Sequence, residues 1–295
     1  MVFITYNDLI NDIRANFHKI RNLEKDGQFC GVLGVPRSGM IPALIIGEKL
    51  NIGTASIYEF IEHGTDCFTH HGNRKLNSIV CEKKRILVVE DTCYSGRSLK
   101  KTSDSLQKFS DQYEFVFMCV YMEGSGKFFI PDLYFVDIRS KIKNQKLDIA
   151  LYEWNIMNHH VSNKMVFDID GVIFVDPPDE RNTEQYVNYI NNPIPLFVPA
   201  TSAQLTLCTY RMRKYYEETV KSLEKVGIKN PIVHMYNCTK YEDRTTPSYL
   251  FKSYVYSEVE KDKVLFVESE DFQAQKIHEI TGKAVYCPTT NKMYS

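Results

Sequence analysis

Two short apolar runs, one in each half of the chain, end abruptly in carboxylates. The first is Ile86–Val89 followed by Glu90-Asp91, and the second is Met165–Phe167 followed by Asp168-Ile169-Asp170. Each pattern predicts a buried strand that passes into a turn, and open α/β sheets bind their ligands at that end of the strands. The sequence therefore predicts an α/β protein with one ligand site in each half.

The chain length and one polar stretch indicate two domains. A chain of 295 residues exceeds the usual size of about 150 residues per domain. The stretch Asn158–Asn163 is polar and turn-like, which places the boundary near residue 160. We therefore expect domains over residues 1–160 and 161–295.

Hydrophobic periodicity predicts alternating strands and helices, which imply a mostly parallel sheet in the first half and a second α/β domain in the second half. In the first half the predicted elements are a helix over 7–25, a strand Cys30–Val35, a helix Met40–Leu50, a strand Ala55–Ile61, the Ile86 strand, a helix Ser98–Phe109, and strands Glu114–Tyr121 and Leu133–Val136. In the second half they are the Met165 strand, a helix Thr183–Ile190, a strand Gln204–Thr209, a helix Arg213–Val226, a strand Ile232–Tyr236, a helix Ser248–Tyr256, and strands Val264–Val267 and Ala284–Cys287. The polar stretch His63–Lys75 is long enough to form a mobile loop.

The composition excludes several classes of partner. A formal net charge of -1 with 25% charged residues gives no support for a nucleic-acid partner. No stretch approaches the ~20 apolar residues of a membrane span. The eight cysteines include no C-x-x-C pair, so we expect reduced thiols in a cytoplasmic protein. The oligomeric state is left open, a homo-oligomer included.

The first motif has the chemistry of a phosphosugar site. Carboxylates accept hydrogen bonds from ribose hydroxyls, and the following turn and helix N-terminus can bind a phosphate. The stretch Ile86–Ser98 resembles the thirteen-residue signature of type I phosphoribosyltransferases, with Ser95 and Ser98 where the family has threonines. The resemblance implies the phosphoribosyltransferase type I fold for the N-terminal domain.

The family uses 5-phosphoribosyl 1-diphosphate (PRPP) with Mg²⁺. The resemblance implies that Glu90 and Asp91 hold the ribose hydroxyls. The residues implied to hold the 5-phosphate are Thr92, Cys93, Tyr94, Ser95, Gly96 and Ser98. The loop Gly34–Gly39 matches the family loop that contacts the diphosphate, with Arg37 as the neutralising charge beside Ser38 and Gly39. Leaving-group stabilisation would then supply most of the catalysis.

Relatives select their acceptor with a hood built from a terminus or a late segment. The candidates here are the N-terminal helix and the region Arg139–Asn155. Trp154, the only tryptophan, can either stack on a sugar or base face or pack at the domain boundary. His63, His70 and His71 lack metal-ligand spacing and are interpreted as solvated loop residues.

The second motif, Asp168–Val172, resembles motif one of the haloacid dehalogenase superfamily of phosphatases. The resemblance implies a Rossmann-like C-terminal fold with a small cap around Thr183–Ile190. It also implies that Asp168 is the nucleophile and Asp170 the general acid and base.

Downstream residues match the order of the remaining phosphatase motifs. Thr209 matches motif two, and Lys252 is the candidate cation of motif three, with Lys261 and Lys263 as competitors. Glu268 matches motif four and would hold Mg²⁺ with Asp168 and Asp170. Glu270 and Asp271 are left open as alternatives to Glu268.

The two resemblances together predict a bifunctional ribofuranosyltransferase. The whole chain resembles two-domain phosphoribosyltransferase–phosphatase proteins of bacterial surface-glycan assembly. That resemblance implies transfer of 5-phosphoribosyl from PRPP to a hydroxyl of a glycan or lipid-linked glycan, then removal of the 5-phosphate. The alternatives are a nucleobase phosphoribosyltransferase coupled to a 5′-nucleotidase, and a non-catalytic PRPP sensor.

Overall fold

The computed structural model describes residues 1–24, 27–68, 84–143, 149–181 and 183–295. The chain divides into two compact units, Met1–Trp154 and Asn155–Ser295. This division lies a few residues before the boundary predicted near residue 160, because a strand late in the first unit pairs with the N-terminus. His70 and His71 lie outside the described residues, as do residues 144–148 of the predicted hood.

The first unit alternates strands and helices along the chain. Its elements are β1 (Val2–Ile4), α1 (Tyr6–Leu23), β2 (Phe29–Gly34), α2 (Met40–Leu50), β3 (Thr54–Ser56), α3 (Ile57–His63), β4 (Lys84–Cys93), α4 (Arg97–Leu106), β5 (Tyr113–Met122), β6 (Leu133–Asp137), α5 (Arg139–Lys143) and β7 (Ala150–Tyr152). Short 3₁₀ turns follow α3 at Gly64–Phe68 and α4 at Gln107–Phe109.

A five-stranded sheet in the order β3-β2-β4-β5-β6 forms the centre of this unit. All of its strand pairs are parallel. Residues Arg85–Asp91 of the central strand β4 are buried, as expected for a parallel strand covered on both faces. The sheet therefore brings the carboxyl end of β4 between the ends of β2 and β5.

The predicted strand Ala55–Ile61 is wrong beyond Ser56. Ser56 begins helix α3, because its hydroxyl accepts from the Glu59 N–H while the Glu59 carboxylate accepts from the Ser56 N–H at 2.7 Å. This capping box is readable as Ser-x-x-Glu in the sequence. The apolar residues Ile57 and Phe60 are buried at helical spacing.

A small parallel ribbon joins the two ends of the first unit. Strand β1 pairs with β7 in the register Val2↔Ala150 to Ile4↔Tyr152. Glu153 continues the connection by accepting from the Tyr6 N–H at 2.7 Å. The two segments proposed as acceptor hoods are therefore held together.

The second unit contains a mostly parallel sheet. Its elements are β8 (Met165–Phe167), α6 (Thr183–Asn191), β9 (Thr206–Met212), α7 (Tyr216–Lys225), β10 (Ile232–Tyr236), α8 (Ser248–Tyr254), β11 (Leu265–Val267), α9 (Asp271–Thr281), β12 (Ala284–Cys287) and β13 (Lys292–Tyr294). The strand order is β10-β9-β8-β11-β12-β13. Only β13 is antiparallel among these described strands, and it was not predicted.

The remaining predicted elements agree with the structure to within a few residues. The cysteines in the described part of the chain are free, and most are buried. No helix in the same part is both long and apolar enough to cross a lipid bilayer.

Phe60 anchors α3 to the sheet and provides a test of this corrected element. It is fully buried, and its ring lies 5.3 Å from the rings of Phe109 and Tyr113. We expect Phe60→Ala to lower the free energy of unfolding by about 3–5 kcal/mol, as truncation of a buried aromatic residue does. Trp154 lies in the first unit, so tryptophan fluorescence in urea follows this unfolding.

The matched control is Tyr58→Ala on the same helix, because Tyr58 is 63% exposed. It should change the stability by less than about 0.5 kcal/mol. Equal effects of the two substitutions would contradict the assignment of Phe60 to the core.

Candidate active sites

The acids of the first motif lie buried at the carboxyl end of β4. Glu90 and Asp91 are each 7% exposed. The Ser98 hydroxyl donates to Glu90 Oε2 at 2.7 Å. Burial and the neighbouring Asp91 raise the pKa of Glu90 well above its usual value, and the Ser98 hydrogen bond opposes this shift. The position therefore combines a desolvated acid pair with a defined hydroxyl donor.

The turn after these acids leads directly into the start of α4. Helix α4 begins at Arg97, and no side chain caps it at Gly96. Gly96 has a φ of 74°, and a Cβ there would lie 2.1 Å from the Phe129 carbonyl oxygen, so the turn requires glycine. The first N–H groups of α4 can therefore receive an anion.

The loop between β2 and α2 lies against the same end of β4. The Val35 N–H donates to the Val89 carbonyl at 2.9 Å. A Cβ on Gly39 would lie 2.7 Å from the same carbonyl oxygen, so the close approach predicted for Gly39 is to the strand itself. Arg37 is exposed and Ser38 half-buried on this loop, and the Pro36–Arg37 peptide bond is cis.

Within the predicted phosphate-binding stretch, Cys93 has a different environment from its neighbours. Its side chain is 2% exposed and belongs to the hydrophobic core. Thr92 and Ser95 are half-buried, whereas Tyr94 is 71% exposed. The Cys93 side chain is therefore not brought to the turn, and only its backbone is available there.

Trp154 contacts the acid pair directly. Its indole Nε1 donates to Asp91 Oδ2 at 2.7 Å. The ring packs beside Tyr6, Tyr121 and Tyr152, with centroids 5.5, 6.5 and 5.0 Å away. No local pattern in the sequence predicts this hydrogen bond, because it joins residues that are 63 positions apart.

A buried network forms around the first aspartate of the second motif. Lys252 Nζ donates to Asp168 Oδ2 and to Glu268 Oε2, both at 2.6 Å. All three residues are buried: Asp168 is 5% exposed, Glu268 1% and Lys252 2%. Burial raises the pKa of Asp168 while Lys252 opposes the shift. Burial alone would lower the pKa of Lys252, but the charges of Asp168 and Glu268 outweigh this effect, so the pKa of Lys252 is raised.

The second aspartate is held by a different cation. Arg211 donates to both carboxylate oxygens of Asp170, at 2.9 and 2.6 Å, and the Tyr189 hydroxyl donates to Oδ1 at 2.8 Å. Burial alone would raise the pKa of Asp170, but the charge and hydrogen bonds of Arg211 hold it below its usual value. Two acids two residues apart therefore have opposite shifts.

Arg211 was not assigned a role from the sequence, although a signal was available. It lies two residues after Thr209 on β9, and alternate residues of a strand share one face. Thr209 and Arg211 are both 1% exposed, and the Thr209 hydroxyl accepts from the Arg211 N–H at 3.3 Å. Tyr189, from the predicted cap helix, reaches the same acid.

One cavity of about 580 Å³ is lined by Asp168, Asp170, Thr209, Arg211, Lys252 and Glu268. The lining includes Lys252 and not Lys261 or Lys263, the two competing lysines. Lys263 instead donates to the Asn163 carbonyl. Glu268, Glu270 and Asp271 all reach the cavity. Asp271 accepts from Tyr294, Thr290 and Lys292, and Glu270 accepts from Gln273. Glu268 instead shares Lys252 with Asp168.

The carboxylates of this cavity outnumber its cations. Its lining holds Asp168, Asp170, Asp176, Glu180, Glu268, Glu270 and Asp271 against Arg211 and Lys252. Hard oxygen donors of this kind suit Mg²⁺. However, no group of three or more His, Cys, Asp or Glu side chains within the described ranges is arranged to hold a metal ion. In this structure Lys252 occupies the position between Asp168 and Glu268.

Comparisons with known proteins concern the first unit. The family model "Phosphoribosyl transferase domain" matches residues 5–153. The xanthine-guanine phosphoribosyltransferase of Gluconobacter oxydans (strain 621H) is 26% identical over 126 residues, 42% of this chain and 70% of the relative. The family match ends at residue 153, so the role of the second unit depends on its own residues.

Two solved structures are also similar. The purine phosphoribosyltransferase from Pyrococcus horikoshii Ot3 has a TM-score of 0.35 at 19% identity, covering 52% of this chain and 92% of that chain. The Helicobacter pylori xanthine-guanine-hypoxanthine phosphoribosyltransferase has a TM-score of 0.34 at 16% identity, with the same two coverages.

Lys252 should be essential for the stability of the second unit. Lys252→Met keeps most of the side-chain volume but leaves Asp168 and Glu268 buried without their shared cation. We expect a loss of about 3–5 kcal/mol in the free energy of unfolding, measured by circular dichroism in urea. The loss should shrink as the pH falls, because a proton shared by the two acids then replaces the ammonium group.

Lys261→Met is the matched control, because the Lys261 side chain is 67% exposed. It should change the stability by less than about 0.5 kcal/mol. A similar loss in both variants, or a loss independent of pH, would contradict the role given to Lys252.

Proposed function

Because the chain belongs to the phosphoribosyl transferase domain family through residues 5–153, we propose that it transfers a 5-phosphoribosyl group from PRPP to an acceptor hydroxyl and then removes the 5-phosphate. The acceptor is a hydroxyl of a glycan or a lipid-linked glycan, as the resemblance of the whole chain implies. The product is a ribofuranoside without phosphate.

The first step is supported by the acid pair at the end of β4 and the two loops beside it. Glu90 and Asp91 accept hydrogen bonds from the ribose hydroxyls, and Trp154 orients Asp91 through its indole donor. The start of α4 receives the 5-phosphate, as helix N-termini do. Arg37 neutralises the diphosphate as it leaves. Mg²⁺ bound with PRPP would supply further charge neutralisation.

The second step is supported by one observation above all: Asp168, Asp170, Thr209, Lys252 and Glu268 converge on a single cavity. Asp168 attacks the phosphorus, and the ribose 5-oxygen leaves with a proton from Asp170. Lys252 holds Asp168 in place. Water then hydrolyses the aspartyl-phosphate and regenerates Asp168.

Asp170 can act as an acid only when its pairing with Arg211 loosens, because that ion pair keeps it ionised. An arriving phosphate offers Arg211 a competing anion. The same ion pair, restored afterwards, favours the carboxylate form that activates water.

Mg²⁺ suits the second cavity on electrostatic grounds. A phosphate dianion entering among so many carboxylates is repelled unless a cation compensates. Asp168, Asp170 and Glu268 are the residues that would hold the ion, which supplies charge neutralisation on the phosphoryl oxygens. The ammonium group of Lys252 would then have to move from its present position between Asp168 and Glu268.

The Gluconobacter relative favours a second candidate function, because its name specifies purine bases. In that case a nucleobase is the acceptor and the second unit is a 5′-nucleotidase. Two phosphate esters distinguish the candidates. Methyl β-D-ribofuranoside 5-phosphate should be the better substrate of the second unit if the acceptor is a glycan, and guanosine 5′-monophosphate if it is a base.

The central experiment supplies PRPP and Mg²⁺ with polysaccharide fragments or free nucleobases, and follows diphosphate and orthophosphate separately. Diphosphate release that depends on one acceptor, followed by orthophosphate release, is the expected result. If none of the acceptors causes release of diphosphate, the proposed transfer step is wrong.

Asp91→Asn should separate the two steps. It removes the charge that receives the ribose hydroxyls while retaining a hydrogen-bond acceptor for Trp154. We expect diphosphate release to fall on the order of 100-fold, with unchanged hydrolysis of methyl β-D-ribofuranoside 5-phosphate. Asp104→Asn, an exposed acid on α4, is the control and should retain both activities. Retained transfer in Asp91→Asn would place the first site elsewhere.

Asp168→Asn should block only the second step. The amide keeps an oxygen for Lys252 but cannot form the aspartyl-phosphate, so we expect orthophosphate release to fall roughly 1000-fold or more. Diphosphate release continues, and a phosphoribosylated product accumulates that mass spectrometry detects. Asp243→Asn, an exposed acid of the same unit, should behave as wild type. If no phosphorylated product accumulates in Asp168→Asn, the two-step scheme is wrong.

A further inference from the structure

A second cavity, of about 600 Å³, lies in the first unit beside the phosphate-binding turn. Its lining residues are Tyr94, Ser95, Glu123, Gly124, Ser125, Lys127, Arg139, Ile142 and Lys143. Tyr94 and Ser95 belong to the turn that follows the acid pair. A group bound in this cavity is therefore adjacent to the turn proposed to hold the 5-phosphate, which directly follows the acid pair proposed to hold the ribose hydroxyls.

The cavity is built by a segment that hydrogen-bonds along the turn. The Glu123 N–H donates to the Cys93 carbonyl at 2.9 Å, the Gly126 N–H to the Tyr94 carbonyl at 3.0 Å, and the Phe128 N–H to the Ser95 carbonyl at 2.8 Å. These bonds fix Glu123, the first residue after β5, relative to the turn. Glu123 thus repeats on β5 the pattern of an acid at the end of a buried strand.

The environment of Glu123 tunes it for proton transfer. Burial raises the pKa of Glu123 to about 7, the nearby Asp91 adds to the shift, and a hydrogen bond from the Tyr152 hydroxyl opposes it. A pKa near the working pH is the optimum for a general base. The contribution of Asp91 couples Glu123 electrostatically to the acid pair.

Three cationic side chains also line the cavity. Arg139 and Lys143 come from α5, and Lys127 from the loop after β5. Arg139 is paired with Asp137 through Nε at 2.9 Å, and Lys127 lies over the Phe128 ring. Both therefore have other partners, which is consistent with a raised rather than a lowered pKa for Glu123.

We propose that Glu123 is the catalytic base of the transfer step and that this cavity holds the acceptor, with the hydroxyl directed at the Glu123 carboxylate. The inference rests on the proposed transfer reaction and adds the residue that activates the acceptor. The acceptor oxygen forms a bond to the ribose C1 as the C1–O bond to diphosphate breaks. Diphosphate leaves with that bonding electron pair, and the hydroxyl proton moves to Glu123, which returns it to water.

Glu123 is better placed for this role than the other acids near the turn. Glu90 and Asp91 do not line the cavity, and in the proposed transfer they hold the ribose hydroxyls. Among the described residues that line the cavity, Glu123 is the only carboxylate. The Tyr152 hydroxyl that contacts it holds the carboxylate in a defined orientation.

The test compares Glu123→Gln with Glu114→Gln, the same change at the amino end of the same strand, where Glu114 is half exposed and paired with Arg85. For Glu123→Gln we expect kcat for diphosphate release to fall at least about 100-fold, with little change in KM for PRPP. The rise of wild-type activity with pH near 7 should disappear. Glu114→Gln should keep the wild-type rate and profile.

Tyr152→Phe provides a second variant that keeps the base. Loss of the opposing hydrogen bond should raise the pKa of Glu123 further, so the rise in activity should move to higher pH. A purely structural role of Tyr152 would lower the rate without moving the profile.

Azide gives a readout that does not require the natural acceptor. The azide anion needs no proton removal, so sodium azide with PRPP and Mg²⁺ should restore diphosphate release in Glu123→Gln and form 5-phosphoribosyl azide. In this reaction a nitrogen bonds to C1 as diphosphate leaves. Wild-type release with a hydroxyl acceptor should gain little from azide.

The outcomes separate the two levels of the proposal. If wild type releases diphosphate and Glu123→Gln does so at the same rate with the same pH profile, the role of Glu123 is wrong and the transfer reaction stands. If Glu123→Gln is folded, inactive and not rescued by azide, Glu123 is not acting as a base. If wild type releases no diphosphate with any acceptor or with azide, the transfer reaction itself is wrong, and the inference falls with it.

Discussion

Each buried carboxylate at the strand ends of this protein has a specific partner that compensates for the loss of water. An isolated ionised acid in such a position would be expensive, and proteins avoid it by pairing or by protonation. Asp170 is paired with Arg211 and stays ionised, whereas Glu90 accepts from the Ser98 hydroxyl and has a raised pKa. The choice of partner, more than the choice of acid, sets what each carboxylate can do.

This principle explains why both units have their acids at the same kind of position. In a parallel sheet the carboxyl ends of the strands meet at one edge, and side chains there are buried by neighbouring strands yet open towards loops. The first unit uses hydroxyl and indole donors at that edge. The second uses ammonium and guanidinium groups. The difference fits the roles proposed for the two acid pairs, which are to hold ribose hydroxyls in the first unit and a phosphoryl group in the second.

The sequence was sufficient for most of the elements and for the residues that follow buried strands. Apolar runs such as Ile86–Val89 predict strands because burial on both faces requires them to be apolar. It failed at Ala55–Ile61, where the capping box of Ser56 and Glu59 outweighed the apolar pattern. It also failed for Trp154 and Glu123, since their partners Asp91 and Tyr152 are distant in sequence. Local patterns carry no information about such long-range contacts.

The pairing of β1 with β7 has a consequence for the order in which the first unit assembles. Val2 pairs with Ala150, so this pairing closes a loop that spans nearly the whole unit. Closing so long a loop is among the most entropically costly steps in the folding of the unit. During synthesis the N-terminal strand has no partner until nearly the entire unit has left the ribosome. Trp154 follows immediately, so the indole can reach Asp91 only in the last stage of folding. A nascent chain therefore acquires its sheet before the indole of Trp154 can reach the acid pair.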